Sequence, residues 1–362
     1  MFSTYEIWSA LCKKLVSHWS EYCCNLCKRP RAIYYHHNLD GGTTVGGSTI
    51  ALRQLQREDS ARKEQLNVLR EIIAAREIAH HCRTNSYIYT QLQELGKNYS
   101  FKVDLDRLSL VQRMFLENRY IFEAIAKHIR VQDLLTEVQI CPTIDLLTVS
   151  KDSIDPDVCR HLVEYLLCNE YFDRPRIFTD ASKSADGRCG IGVYDETNEI
   201  RLMMQLKLDT SIMTAETLAI KVAMQHIHDR GIKKAVLLTD SQPACTFLKK
   251  SRNARLRNAV ANEILEKAKH NRTTIQWIPG HVRIEGNEIA DELARQALSA
   301  EFVLENDIFV NDAISYFEER QASSINKWYQ EYVRLKGKSL KQLLNGSEEE
   351  DPYWFMEQNY TQ

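Results

Sequence analysis

Four carboxylates stand at positions where a carboxylate has to be accounted for. Asp180 interrupts the apolar run Ile177-Phe178-Thr179-Asp180-Ala181-Ser182, and Glu216 opens a helical stretch at Thr214-Ala215-Glu216. Asp240 closes a second apolar run, Leu237-Leu238-Thr239-Asp240-Ser241-Gln242, and Asp291 lies inside a later helical stretch. Taken singly, each has a structural reading. A strand-end Asp caps the next helix, a Glu in a first turn complements the helix dipole, and an Asp on a helix is solvated. Asp180 resists that reading, because a lone ionised group in a strand that fills a sheet interior is costly to bury. Four converging acids would repel one another by about 4 kcal/mol for a pair about 4 Å apart near a protein surface. Convergence therefore implies a cation. Oxygen-only ligands select Mg²⁺ or Mn²⁺ over Zn²⁺, and four carboxylates can hold two such ions about 4 Å apart, the arrangement that activates water and stabilises the leaving oxygen in phosphodiester cleavage.

The elements that must bring these acids together begin after Arg174-Pro175. Arg176–Ser182, Gly190–Asp195 and Ile200–Lys207 read as three strands of a meander. A helix over Thr214–Arg230 follows, ended by Gly231, and then a strand over Lys234–Asp240. Helices over Ser241–Lys250 and Ala254–Lys269, a fifth strand over Thr273–Ile278 and a last helix over Asn287–Ser299 complete the pattern. The expected fold class is α/β, a five-stranded mixed sheet flanked by helices.

Upstream, 50–172 reads as an all-helical module: Ala61–Arg83, Ser86–Leu95 closed by Gly96, Leu108–Arg130, and a helix that Asp155 caps with Pro156 in its first turn. Its residues carry no legible function. Ahead of it, Trp8, Leu11, Leu15, Trp19 and Tyr22 form the stripe of an amphipathic helix, and four glycines between Gly41 and Gly47 mark a link. The expected organisation is thus 1–49 (helix and linker), 50–172 (helical module), 174–300 (the mixed sheet) and 301–362 (an acidic helical tail).

Formal charge is −2 over 362 residues, so no global field announces a polyanion or a membrane, and any such bias must be local. It is: 174–300 holds 20 Lys and Arg against 15 acids, whereas 301–362 holds 6 against 12. No stretch approaches the roughly 18 to 20 consecutive apolar residues of a membrane span, and no membrane partner is expected. The start Met1-Phe2-Ser3-Thr4 does not resemble a secretory signal, so the ten scattered cysteines read as reduced thiols of a nuclear or cytoplasmic protein. Cys24-x-x-Cys27 with His36-His37, and His80-His81-Cys82, invite a zinc reading, but adjacent ligands rarely reach one ion. Lys28-Arg29-Pro30-Arg31 is a weak nuclear address.

The order and surroundings of the four acids resemble type 1 ribonuclease H. The run Trp277-Ile278-Pro279-Gly280-His281-Val282-Arg283-Ile284-Glu285-Gly286-Asn287-Glu288-Ile289-Ala290-Asp291-Glu292-Leu293-Ala294 is similar to the version carried by insect non-LTR retrotransposons. The resemblance covers 174–300. The stretch 301–362, with Trp328 and Asp351-Pro352-Tyr353-Trp354-Phe355, resembles more loosely the segment C-terminal to this domain in such elements.

That resemblance implies hydrolysis of the RNA strand of an RNA–DNA hybrid by two Mg²⁺ ions on Asp180, Glu216, Asp240 and Asp291, with Asp180 touching both. It gives His281 a part in proton transfer or product release. Ser182 and Gln242 become substrate contacts, Gln242 in the minor groove, where the 2′-hydroxyl distinguishes RNA. Ile212-Met213-Thr214 departs from the amides that cellular members carry ahead of the Glu. The 36 residues between Asp240 and Trp277 are too few for the bacterial enzymes' extra basic helix. Lys249, Lys250, Arg252, Arg255 and Arg257 are expected to substitute for it along a phosphate path. Two other readings stand beside this one. A retroelement-derived scaffold would act through the helical module, and a transposase or integrase would use a three-acid set without the His281–Asp291 signature. With no Asp-Asp pair in the chain, no reverse transcriptase is expected.

Overall fold

The computed structural model describes residues 67–98, 107–144 and 155–321. All belong to one compact unit, which begins at Arg62. The N-terminal amphipathic helix, the glycine link, the Cys24–His37 cluster, Lys28–Arg31, Trp328 and the 351–355 run lie outside the described residues.

The described chain opens with α1 (67–84), α2 (Tyr87–Asn98), α3 (Leu110–Glu117) and α4 (Arg119–Glu123). The single helix expected over Leu108–Arg130 is broken. Its start agrees with the sequence, with Ser109 and Gln112 closing a capping box. Asn118 then leaves helical geometry at φ −121° and donates its side-chain amide to the Met114 carbonyl at 3.0 Å. Beyond Glu123 the chain becomes β1 (His128–Arg130), antiparallel to β7 (Leu256–Asn258). Farther on, β2 (Ile140–Cys141) runs parallel to β8 (Thr274–Trp277). The module expected to be all-helical thus contributes two strands, because pairing with a distant segment outweighs a local helical preference of at most about 0.7 kcal/mol per residue. The same ribbon replaces the first turn of the helix expected from Ala254, and Asn258 caps what remains by accepting from the Val260 N–H at 2.9 Å.

After α5 (Pro156–Asn169), which Asp155 caps as its sequence implies, comes the meander β3 (Arg176–Lys183), β4 (Cys189–Asp195) and β5 (Ile200–Leu206). There follow α6 (Ile212–Asp229), β6 (Val236–Thr239), α7 (Gln242–Ser251), β7, α8 (Ala259–Asn271), β8 and α9 (Glu285–Ala297). The described part ends with β9 (Val303–Leu304) and α10 (310–321). The sheet order is β2-β8-β6-β3-β4-β5-β9. The five expected strands form its centre, and β2 and β9, each two residues long, extend it to seven.

β6 and β8 are buried along their whole length, as strands covered on both faces must be; β6 is mostly apolar, and the buried Thr274 and Gln276 of β8 are hydrogen-bonded to Gln139 and Tyr171. On β4 the small residues Gly190 and Gly192 alternate with Ile191 and Val193, so one face of the strand is bare. α9 lies on that bare face: a Cβ at Gly192 would stand 2.2 Å from the Ala290 carbonyl oxygen. A second core joins α1–α4 to the segment after 300, with Phe115, Phe122 and Ile125 buried against Ile308, Ala313 and Phe317. The Phe122 and Phe317 rings stack at 5.1 Å. Among the described residues no helix is long and apolar enough to cross a membrane.

Candidate active site

The sheet register brings two of the four acids together. β3 and β6 are parallel with Thr179 beside Thr239, so Asp180 and Asp240, each the next residue, emerge side by side at the same end. On the other side of β3, Asp180 pairs with Gly192, the position over which α9 passes closely enough to bring Asp291 near. Glu216 comes from the first turns of α6, whose N-cap Ser211 accepts from the Thr214 N–H at 3.3 Å.

Carboxylate oxygens of Asp180, Glu216 and Asp240 lie within 4.8 Å of one another, and this is the one such group of metal-ligating side chains among the described residues. Asp291 lines the same cavity of about 330 Å³, together with Ser182, Lys183, Gly280 and His281. It is not part of the 4.8 Å group, and its carboxylate pairs with Arg295 at 3.3 Å. Gly280 is required by close approach, since a Cβ there would stand 2.4 Å from an Asp240 carboxylate oxygen. Asp240 is held further by Asn287, which donates its side-chain amide at 3.4 Å, and its carbonyl accepts from the Trp277 indole at 3.0 Å.

The acids stand in each other's field. Asp180 and Glu216 are 6% and 5% exposed. Burial first, then the charges of Asp240 and Asp291, push the Asp180 carboxyl up to about 7. Burial and the neighbouring Asp180 and Asp240 likewise hold Glu216 well above the ordinary carboxylate range. Two unit charges 4.8 Å apart repel by roughly 3 to 4 kcal/mol in such surroundings. The Oε2 atom of Glu216 and the Oδ1 atom of Asn287 are buried without a hydrogen-bond partner. A buried oxygen left unmatched costs about 1 to 3 kcal/mol, so the oxygen-rich cage fits a hard divalent cation.

His281 comes after β8 on the Pro279-Gly280 turn, exposed at the cavity rim with φ +61°, a left-handed conformation that is strained for histidine. Ser182 lines the cavity. Gln242 is exposed, but its side-chain amide donates to the Pro142 carbonyl at 3.0 Å. The basic run divides. Lys249, Lys250 and Arg255 are exposed, whereas Arg252 is half-buried and donates to the Val138 carbonyl at 2.6 Å. Arg257 does not serve a phosphate path: it is 1% exposed, and its guanidinium is taken up by the carbonyls of Ser251, Arg252, Ala254 and Asp133 and by the Asn262 side chain. On α1, His80 meets Arg83, His81 meets Ser86 and Cys82 is buried, so these three do not converge.

Sequence reasoning missed Lys183, Asn287 and Asp312. Asn287 lay within the quoted signature without a role. Asp312 sat in an acid-rich stretch that reads as a solvated tail, yet it is 7% exposed. It accepts from the Ser211 N–H at 2.9 Å, the Thr214 hydroxyl at 2.8 Å and the Phe309 N–H at 2.7 Å, tying down the first turn of the helix that carries Glu216.

Residues 174–299 match the family model described as RNase H. No curated protein matches the chain. The sheet and its flanking helices agree with the RNase H fold, and this part of the chain is an RNase H domain.

Proposed function

We propose that the RNase H domain hydrolyses the RNA strand of RNA–DNA hybrids, with two Mg²⁺ ions, which Mn²⁺ can replace, held by Asp180, Glu216, Asp240 and Asp291. One observation carries this reading: three carboxylates converge within 4.8 Å, and no lysine or arginine pairs with Asp180 or Glu216 among the described residues. Bound there, divalent ions supply an activated water and neutralise charge on the leaving oxygen, giving 5′-phosphate and 3′-hydroxyl ends.

The chain's own residues do the rest. Asp180, between Glu216 and Asp240, would be the ligand shared by the two ions, and Asn287 orients Asp240. The exposed His281 imidazole, at the cavity rim, assists proton transfer or product release. Ser182 and Gln242 contact the hybrid, and Gln242 must exchange the Pro142 carbonyl for the minor groove to do so. Lys249, Lys250 and Arg255 track the phosphates. Kinship with retrotransposon RNase H domains belongs to the same proposal and rests on the 277–294 run.

The test is cleavage of labelled substrates by full-length protein with Mg²⁺. RNA paired to DNA is cut, duplex RNA and duplex DNA are not, and Asp180→Asn abolishes cutting. Equal cleavage of duplex RNA removes the hybrid specificity.

A further inference from the structure

The stretch just before β2 lies outside the RNase H domain, yet it is fastened to it at many points. β1 pairs with β7 in the register His128 with Asn258 and Arg130 with Leu256. The Val131 N–H donates to the Arg255 carbonyl at 2.9 Å, and the Leu135 N–H to the Arg252 carbonyl at 3.0 Å. In return Arg252 donates to the Val138 carbonyl, and the buried Arg257 reaches the Asp133 carbonyl at 3.4 Å. The result is a two-stranded ribbon mounted at the C-terminal end of α7.

Four cations gather on this ribbon and its mount: Arg130 on β1, Lys249 and Lys250 in the last turn of α7, and Arg255 at the entry to β7. All four are exposed, and none of their charged side-chain groups has a hydrogen-bond or ion-pair partner among the described residues. The acids of the same stretch act on another amine. Glu137 pairs with Lys269 of α8 at 2.8 Å, and the charge of Asp133 also acts on that amine. α7 begins next to Asp240 and is ten residues long, so its basic end stands about 15 Å from the carboxylates. Along a duplex with one charge per 3.4 Å of strand, that is about four or five base pairs.

We propose that the β1–β7 ribbon is an arm that grips the sugar-phosphate backbone of the hybrid about four to five base pairs from the cut, and that Arg130, from the region ahead of the domain, completes it. The proposal rests on the nuclease reading and gives the N-terminal region a share in substrate binding. The kind of partner is set by chemistry: several exposed cations that form no ion pair among the described residues complement a regular polyanion rather than a single anion.

The experiment measures binding of labelled hybrids of graded length by full-length protein carrying Asp180→Asn, with and without Arg130→Glu, across a salt series. Arg130→Glu is expected to weaken binding on the order of tenfold on long hybrids, the loss growing as the duplex extends past about five base pairs, and to lower the salt slope by about one. Arg130→Lys retains most of the affinity. Arg230→Glu, an equal charge change at the far end of α6, does not alter binding. A parent protein that binds hybrids, and cuts them with Asp180 restored, while Arg130→Glu matches it at every length, overturns the arm alone. A parent that neither binds nor cuts overturns the arm together with the nuclease reading.

Discussion

Asp180 and Asp195 lie on neighbouring strands, β3 and β4, and both are almost wholly buried, at 6% and 1% exposure. Their surroundings differ. Asp195 receives the His226 ring nitrogen at 2.9 Å, the Asn198 N–H at 3.1 Å and the Asn198 side-chain amide at 2.9 Å. Asp180 has Glu216 and Asp240 beside it and is driven toward protonation. Burial alone therefore does not mark a functional acid. The two differ in what surrounds them: hydrogen-bond donors meet the charge at Asp195, whereas further acids stand beside Asp180, where the proposed ions would supply the compensation.

That contrast can be broken most sharply with a pair of isosteric substitutions. Asp180→Asn should lower hybrid cleavage by at least about 10³-fold, because ion ligation is lost, while leaving the metal-free protein as stable as before or more so. Asp195→Asn should do the reverse, cutting hybrids at a rate close to wild type while costing about 3 kcal/mol in denaturant unfolding. Equal losses of activity in both variants would erase the distinction.

A smaller effect tests how far the site's support extends beyond the domain. Asp312→Ala removes the acceptor for the first turn of α6 and should cost roughly 1 to 3 kcal/mol of stability. It should also weaken Mg²⁺ binding about tenfold, in keeping with groups that orient a ligand without touching the metal. A stability loss with Mg²⁺ affinity unchanged would reduce Asp312 to a structural tie.

The same division between local and distant causes explains which parts were legible in the sequence. The meander, α6 to α9 and the four acids are read from alternation, caps and a compact signature, all of which act within a few residues. β1, β2 and β9 were not legible, being two or three residues long and held by partners far along the chain. Arg257 reads as one member of a charged run, and only the fold around Ser251 and Asp133 reveals a buried tie. Asp312 fails for the same reason, since an acid among acids gives no sign of the three donors waiting for it.

The central claim is that the acids of the cavity are tolerated because divalent ions compensate them, and protons compete with those ions. Asp180 is raised from 3.8 to about 7 in the folded protein, so its proton contributes stability that is fully present below about pH 4 and lost as pH rises through 7. Mg²⁺ must therefore bind more tightly above that range than below it. Calorimetric titration of full-length protein with Mg²⁺ at about pH 5.5 and about pH 8 reads this directly. Saturable uptake at the higher pH, much weaker at the lower and abolished by Asp180→Asn, is the expected result; uptake that is indifferent to pH and to Asp180, or none at the higher pH, contradicts the account.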